Sequence, residues 1–355
     1  MEQISLRPAR LVWGAALLTI CACRADDSVA TSGSPLEGVE FDTLAVVGVL
    51  EGDPSEVFSR IRSVALAPDG RFAVLDDRTP MLALFDAEGT LLGAVTASGQ
   101  GPGELGRPWE VLWTHDGDLL VLDPSNRRIS RFRPTDGELA LVDTRQIQIF
   151  GDGFCVLRDR IFFNLIWDGR MMHELGDDGR GARSFGEPPE LAVAEGVVGV
   201  AREIVMEMWS SGRLFCDEAS GTLLEVGISH PRAQLYDLDG TPRWTIELAD
   251  LYFLLPNVSS DGRGVGYRQD EERGTHILRS VLPWRPGEIL LQYSFAHPGA
   301  ESGPVAAVES RLLTVADGGE VARTRSLPEF IAASGDRYVQ IEREPFPRVL
   351  LVQRR

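Results

Sequence analysis

The sequence predicts an all-β fold: a six-bladed β-propeller with four-stranded antiparallel blades and an N-terminal strand that closes the last blade. Three observations predict it. A turn–strand unit recurs six times along the chain, a second hairpin signal follows several of these units, and a strand pattern without a partner precedes the first one. Repeats of about 40–50 residues that each hold four short strands are typical of propellers.

The first repeated unit is a tight turn followed by an apolar strand. Its clearest copies are residues 68–76 (PDGRFAVLD) and 115–123 (HDGDLLVLD). The aligned turn positions are residues 70, 117, 159, 212, 287 and 336, so the spacings are 47, 42, 53, 75 and 49 residues. The 75-residue interval predicts one insertion, at about residues 251–277. An excursion of this length is either a functional, partner-facing loop or a loosely packed flap.

A second hairpin follows the first unit in several repeats. Asp-Gly pairs stand between apolar runs at residues 136–137, 239–240 and 317–318. Such pairs favour tight hairpin turns because these turns need positive φ angles. The last repeat is short of strands, since residues 338–352 supply about two. The unused strand pattern at residues 39–47 is therefore expected to pair with it, which closes the ring and covers an open edge.

Two stretches carry a family resemblance. Residues 121–132 (VLDPSNRRISRF) resemble the NHL-repeat signature, in which an aliphatic-Asp pair precedes Asn-x-Arg-Ile and an aromatic residue. Residues 99–105, followed by Pro108, resemble a loop of the related bacterial six-bladed β-propeller lipoproteins. The likeness covers residues 60–145 and elsewhere rests on turn spacing; the first repeat has the Asp but lacks the Asn-x-Arg-Ile run. The resemblance implies an exported six-bladed propeller and no single activity.

The first residues are typical of a secretory signal. Arg7 and Arg10 precede an apolar run, residues 11–20, which is too short for a stable membrane span. The sequence Ile20-Cys21-Ala22-Cys23 then resembles the lipobox of bacterial lipoproteins. Cys23 is the better lipid acceptor, because bulky Ile20 fits badly directly before Cys21. The alternative is an ordinary secretory peptide with cysteines near its cleavage site.

Three segments follow from these observations. Residues 1–22 are predicted to be a lipoprotein signal peptide, residues 23–37 a flexible tether, and residues 38–355 the propeller with its insertion. The tether is predicted from its small and polar composition, which offers nothing to bury. The predicted location is the cell envelope, facing the periplasm or lying on the cell surface, with the chain held by lipid on Cys23.

Charge narrows the class of partner. The formal net charge is −18 and the sequence contains no lysine, so every basic side chain apart from histidine is arginine. Nucleic-acid binding needs clustered positive charge, which this composition argues against. We expect a monomer whose partner is an envelope protein or polymer.

Cys155 and Cys216 lie in apolar, strand-like stretches. Export would permit a disulfide between them, whereas a buried free cysteine would serve as a small hydrophobic residue. The sequence leaves both possibilities open.

One face of the propeller is the expected binding face. It carries the links between blades and the turns between the second and third strands of each blade, here residues 98–107, 76–79, 123–128 and 165–170. The predicted ligand-binding residues form a polar ring around the channel mouth: Asp76, Asp77, Arg78, Glu104, Arg107, Asn126 and Arg127. A structural role competes for Asp123, Asn126 and Arg128, because Asp and Asn side chains in such turns hydrogen-bond local backbone.

Catalytic motifs are missing. The glycines of residues 99–103 precede no helical pattern, so a phosphate cradle is excluded. A lactonase-like calcium site would draw on only three asparagines, Asn126, Asn164 and Asn257, and the five histidines have no metal-ligand spacing. We therefore expect a non-catalytic binding module without cofactor or metal. The alternative is a metal-dependent, lactonase-like hydrolase or lyase with its site at the channel mouth.

Overall fold

The computed structural model describes residues 34–149, 151, 153–189, 205–206, 211–228, 230–253, 272–296 and 307–355, together with the backbone of residues 255–258 and 265–268. The predicted signal peptide, Cys23 and residues 24–33 of the predicted tether lie outside these residues. Leu36, within the predicted tether, is fully buried in an apolar cluster, so the packed part of the chain begins before residue 38. None of the described helical segments is long and apolar enough to cross a membrane.

The described chain is almost entirely β-structure. Its strands in chain order are β1 (Phe41–Val47), β2 (Ile61–Leu66), β3 (Phe72–Asp76), β4 (Met81–Phe85), β5 (Leu91–Val95), β6 (Glu110–Trp113), β7 (Leu119–Asp123), β8 (Arg128–Thr135), β9 (Glu138–Gln146), β10 (Gly153–Leu157), β11 (Arg160–Trp167), β12 (Arg170–Leu175), β13 (Gly181–Phe185), β14 (Gly212–Asp217), β15 (Thr222–Gly227), β16 (Arg232–Asp237), β17 (Pro242–Glu247), β18 (Leu255–Val258), β19 (Val265–Arg268), β20 (Thr275–Arg285), β21 (Glu288–Ala296), β22 (Ala307–Thr314), β23 (Glu320–Thr324), β24 (Ala332–Ser334), β25 (Arg337–Glu342) and β26 (Arg348–Arg354). A 3-10 turn, Pro124–Asn126, separates β7 from β8.

These strands form six four-stranded antiparallel blades, as predicted. Blade 1 contains β2–β5, blade 2 β6–β9, blade 3 β10–β13, blade 4 β14–β17, blade 5 β20–β23 and blade 6 β24–β26 with β1, while β18 and β19 pair separately. The first strand of each blade is the innermost, and these inner strands contact one another in the ring order β2, β6, β10, β14, β20, β24 and back to β2. A propeller ring therefore encloses a central channel.

The core is divided into six apolar clusters, one at each junction between neighbouring blades. Phe72 and Phe85 of blade 1 stack at 5.4 Å in the cluster shared with blade 6. Leu84 of blade 1 and Val121 of blade 2 belong to the next cluster. Both faces of the middle strands are consequently buried, which explains their nearly continuous apolar sequences.

The N-terminal strand closes the ring, as the sequence predicts. Strand β1 pairs antiparallel with β26, in a register that runs from Phe41 opposite Arg354 to Val47 opposite Val349. Ala45 and Val47 are buried in the cluster that joins blade 6 to blade 1. The last blade is thus completed by a strand from the other end of the described chain.

The fourth repeat is aligned wrongly by the sequence argument. The fourth aligned turn position, residue 212, does not lie in a turn, because Gly212–Asp217 is the inner strand β14. The corresponding turn follows it, with Gly221 at φ 67°. Inner and second strands are both short and apolar, so a Ser-Gly pair before either one resembles the repeated unit.

Two links between blades are long, where the sequence indicated one insertion. Residues 186–211 separate β13 from β14, and residues 248–274 separate β17 from β20. Thr275–Ile277, counted within the predicted insertion, begin the inner strand of blade 5. The partner-facing role expected of this segment stays a prediction.

A disulfide joins Cys155 to Cys216, with their Cα atoms 5.8 Å apart. It links the inner strands of blades 3 and 4, β10 and β14. The possibility that the sequence left open is therefore resolved in favour of the bridge. Both residues also line the central channel.

Removing this bridge is expected to lower the free energy of unfolding by about 2–4 kcal/mol. The bridge restricts the conformations open to the unfolded chain, and without it the unfolded state gains conformational entropy. The measurement compares guanidinium unfolding of the oxidised protein, the reduced protein and the Cys155→Ala/Cys216→Ala variant. The reduced protein separates loss of the bridge from loss of side-chain volume. Equal unfolding midpoints for oxidised and reduced protein would contradict the expectation.

Candidate functional site

The predicted polar residues share one face of the ring, which we call the upper face. It is the side on which the inner strands begin and the second strands end. The turns 77–80 and 124–127 lie on it, as does the link between β5 and β6 at residues 96–109. The structure thus places all seven predicted ligand-binding residues on a common face.

Asp76 and Asp123 act as equivalent braces in blades 1 and 2. Asp76 accepts hydrogen bonds from the backbone N–H groups of Ser59 and Arg60 before the inner strand, and of Arg78 and Thr79 in the following turn. Asp123 does the same for Gly106 and Arg107 and for its own turn. Both carboxylates are completely buried. Asp76 therefore has no accessible oxygen for a ligand.

Three more of the predicted residues form internal contacts. Both carboxylate oxygens of Asp77 bind the Arg60 guanidinium, at 2.6 and 2.7 Å. Glu104 accepts a hydrogen bond from the Gly101 N–H at 2.8 Å. Asn126 donates to the Gly99 carbonyl at 2.9 Å. These contacts hold the link between β5 and β6 and the turns after β3 and β7 in place.

Arg128 strengthens the same loop. Its guanidinium donates to the carbonyls of Gln100, Gly101 and Glu104. Among the seven predicted residues, Arg78, Arg107 and Arg127 are left with exposed side chains that make no salt bridge within the described part of the chain. Their role in binding stays a prediction.

The central channel offers a different set of groups. Inner strands of all six blades surround a cavity of about 940 Å³. That volume lies within the range of small-molecule sites. The charged residues at its upper end are five arginines and two glutamates: Arg60, Arg62, Glu110, Arg213, Arg279, Glu329 and Arg343. A chain of net charge −18 therefore presents a positive channel entrance.

Ion pairs with carboxylates neutralise two of the five arginines. Arg60 is held by Asp77, and Arg279 lies 3.1 Å from Glu329. Arg62, Arg213 and Arg343 form no salt bridge among the described residues.

The Arg62 guanidinium is fixed in another way. Its Cζ stands 3.5 Å from the centroid of the Trp109 ring. A cation over an aromatic face is stabilised without being neutralised. The channel consequently holds a positioned cation that forms no salt bridge within the described residues.

Glu110 is a carboxylate that interacts electrostatically with both Arg213 and Arg62. Burial raises its pKa to about 7, although Arg213 and Arg62 act in the opposite direction. Glu110 is thus largely protonated in mildly acidic solution and charged in mildly alkaline solution. The positive charge at the upper end of the channel is greatest below pH 7.

The raised pKa predicts a pH-dependent stability. In the unfolded chain Glu110 titrates near its ordinary pKa of 4.5. Its neutral form is favoured in the folded state, so this contribution to stability is complete below pH 4.5 and is lost as the pH rises through 7. The stability of the wild-type protein relative to Glu110→Gln is expected to fall by about 1–2 kcal/mol between pH 5 and pH 8, after allowance for solvent screening. Parallel urea unfolding curves of the two proteins measure it, and a constant difference would contradict it.

A second polar group lies between blades 3 and 4, towards the upper face. It contains Glu225 of β15 and His230 in the turn that follows the strand. Burial raises the pKa of Glu225 to about 8 and lowers that of His230 to about 3. Both side chains are therefore mainly neutral at pH 7.

Sequence reasoning missed the channel residues. Arg62, Glu110 and Arg213 each interrupt the apolar pattern at the start of an inner strand, and that recurring position is the signal that could have identified them.

Within the described residues, no group of three His, Cys, Asp or Glu side chains is placed to hold a metal.

Comparisons with known proteins support the fold. No protein-family model and no curated protein sequence matches the chain. A candidate exported protein from Bacteroides fragilis is similar in structure, with a TM-score of 0.61 and 11% identity over 92% of this chain and 98% of that one. A member of the DUF4221 family from Bacteroides vulgatus has a TM-score of 0.56 and 10% identity over 89% and 98% of the two chains. Identities this low show a shared fold alone.

Proposed function

We propose that this chain is a lipid-tethered, extracytoplasmic binding module that holds an anionic group of an envelope protein or polymer at the upper end of its channel. The observation that carries the proposal is the unpaired arginine set, Arg62, Arg213 and Arg343, in the entrance of a strongly acidic protein. Guanidinium groups bind carboxylates and phosphates through paired hydrogen bonds.

The surroundings of the arginines favour binding without chemistry. The carboxylates and amides of the upper-face loops are used in internal hydrogen bonds, which makes the entrance rigid. A rigid entrance loses little conformational freedom when a ligand binds. The positive field of the entrance also contrasts with the rest of the surface and would attract an anion to this end of the ring.

Export is supported by the disulfide, because such bridges persist in oxidising compartments. The lipid tether rests on the lipobox-like sequence before Cys23. Full-length protein is expected in the membrane fraction of its host, and Cys23→Ser is expected to move most of it to the soluble fraction. Cys21→Ser is the matched control and is expected to remain with the membrane. Equal distribution of wild type and Cys23→Ser would contradict the tether.

In-cell crosslinking tests the binding site. The chain has no lysine, so amine-reactive reagents are unsuitable and a photoreactive phenylalanine analogue is placed at the exposed Arg78 position of the upper face. Mass spectrometry then identifies crosslinked proteins or polymer fragments. The expected result is a reproducible anionic partner that is lost in an Arg62→Gln/Arg213→Gln variant.

Arg243→Gln is the control, since Arg243 lies on the outer strand β17 of blade 4 and pairs with Asp237 there. It is expected to keep the partner. A partner retained by the double variant would place binding elsewhere. No partner above the background of an unrelated lipoprotein would overturn the binding-module proposal.

A further inference from the structure

Three polar side chains meet in the interface between blades 3 and 4. Asn164 comes from β11, Glu225 from β15 and His230 from the turn after β15. Their exposed fractions are 1%, 1% and 3%, so they are enclosed by protein. Below them the same interface is apolar, with Phe162, Leu223 and their neighbours.

Five polar atoms of these side chains have no hydrogen-bond partner in the described structure. The unpaired atoms are Asn164 Oδ1, both carboxylate oxygens of Glu225 and both ring nitrogens of His230. Buried polar atoms are nearly always paired, because leaving one unpaired forfeits its hydration without compensation. Five such atoms on three neighbouring side chains indicate a partner that is not among the described residues.

The unpaired atoms converge. His230 Nε2 lies 3.6 Å from Glu225 Oε1. A Cβ at Gly212 would stand 2.4 Å from the same Oε1 and 3.2 Å from Asn164 Oδ1, so both oxygens face the space that the glycine leaves open. The Asn164 amide nitrogen is directed the other way, towards Met172 Sδ at 4.0 Å. An oxygen from each of two blades therefore faces Gly212, and a ring nitrogen lies beside one of these oxygens.

The neighbouring cation does not satisfy this group. Arg232 NH2 is 4.0 Å from Glu225 Oε2, beyond hydrogen-bond distance. The same guanidinium donates instead to the Glu187 carbonyl and approaches Met171 Sδ. It faces the other carboxylate oxygen, which leaves Oε1 to His230 and Asn164.

We infer that Asn164, Glu225 and His230 form a site for a divalent first-row transition-metal ion that links blades 3 and 4. An amide oxygen, a carboxylate oxygen and an imidazole nitrogen are a mixed donor set of the kind these ions take. Two ligands about 2.0–2.1 Å from a tetrahedral ion lie roughly 3.3 Å apart, close to the separation found here. Calcium fits less well, since it takes six to eight oxygen ligands.

The burial of all three ligands assigns the ion a structural role. It would complete the polar upper part of an interface whose lower part is apolar and whose inner strands are joined by the disulfide. The inference is independent of the proposed binding function, because it concerns the space between two blades and not the channel entrance.

The test uses tag-free, full-length protein in detergent, stripped of metal by a chelator that is then removed. Calorimetric titration with Mn²⁺, Fe²⁺, Co²⁺, Ni²⁺ and Zn²⁺ is expected to show one-to-one binding of at least one ion with a Kd below about 10 μM. Saturation is expected to raise Tm by about 3 °C or more. Glu225→Gln and His230→Gln should each weaken binding at least about 100-fold, because each removes a direct ligand.

His115→Gln is the matched control, since His115 is an exposed turn residue that belongs to no such group. It is expected to bind as the wild type does. The inference is overturned if none of the five ions binds with one-to-one stoichiometry, or if both ligand variants bind as tightly as the wild type. Should a variant not fold, Co²⁺ absorption of the unaltered protein decides, because a buried nitrogen–oxygen site gives intense visible bands that free Co²⁺ lacks.

Discussion

Deletion of residues 38–50 is expected to abolish cooperative unfolding or to lower the free energy of unfolding by at least about 5 kcal/mol, a large share of the stability of an ordinary domain. The deletion removes β1 and leaves β26 as an open edge strand. It also uncovers Val349 and Leu351, which β1 helps to bury. Guanidinium unfolding followed by circular dichroism measures the change. Unfolding indistinguishable from the wild type would show that the ring does not need this strand.

A pair of point variants distinguishes closure by β1 from a general effect of shortening the chain. Val47 is 5% exposed and packs into the cluster between blades 6 and 1, whereas its neighbour Val46 is 49% exposed. Val47→Asp buries a charge without a partner and is expected to cost about 3 kcal/mol. Val46→Asp points to solvent and should stay within about 0.5 kcal/mol of the wild type. Similar losses for both variants would contradict the register described for β1.

Replacement of Asp123 by alanine is expected to lower the free energy of unfolding by about 3–5 kcal/mol. Its carboxylate receives the Gly106 N–H at 2.7 Å, the Arg107 N–H at 3.1 Å and the Ser125 hydroxyl at 2.8 Å. Asn126 Nδ2 also donates to it at 2.8 Å. Truncation leaves these donors without an acceptor at a site from which water is excluded. Thermal and urea unfolding measure the loss.

Asp116→Ala is the control for this prediction. Asp116 precedes the same strand, but its side chain is 63% exposed. Its Oδ2 atom lies 3.6 Å from the Arg131 guanidinium. Its loss should change stability by no more than about 0.5 kcal/mol. Asp76→Ala should behave like Asp123→Ala, because Asp76 occupies the equivalent position in blade 1. A loss below about 1 kcal/mol for Asp123→Ala would show that the brace contributes little.

Much of the fold could be predicted because its signals are local. Gly117 and Gly240 take φ angles of 81° and 84°, and turns that need such angles select glycine at regular spacing. The closing strand was also predictable, since one blade was short of strands and one strand pattern lacked a blade. The fourth repeat was misaligned because an inner strand and a second strand carry the same short apolar pattern.

The site was predictable only in part. The upper face follows from the repeat, because each turn between second and third strands returns to the same side of the ring. Which of its polar side chains are free to bind a ligand does not follow from the repeat. Asp77 and Glu104 look like ligand groups in the sequence, yet their carboxylates accept hydrogen bonds from Arg60 and from the Gly101 N–H. A side chain's free hydrogen-bonding capacity depends on neighbours that are distant in sequence.

The sequence by itself determined the all-β class, the number of blades and five of the six repeated turns, because these depend on patterns within about one repeat. The closing strand followed from counting strand patterns along the chain. The tertiary structure decided which polar groups remain available. Ring closure brings Arg62, Glu110 and Arg213 to one channel entrance although they belong to blades 1, 2 and 4. It likewise brings Asn164 and Glu225 to one buried point from two different blades. Burial and charge interactions depend on these distances in space, which repeats along the chain do not encode.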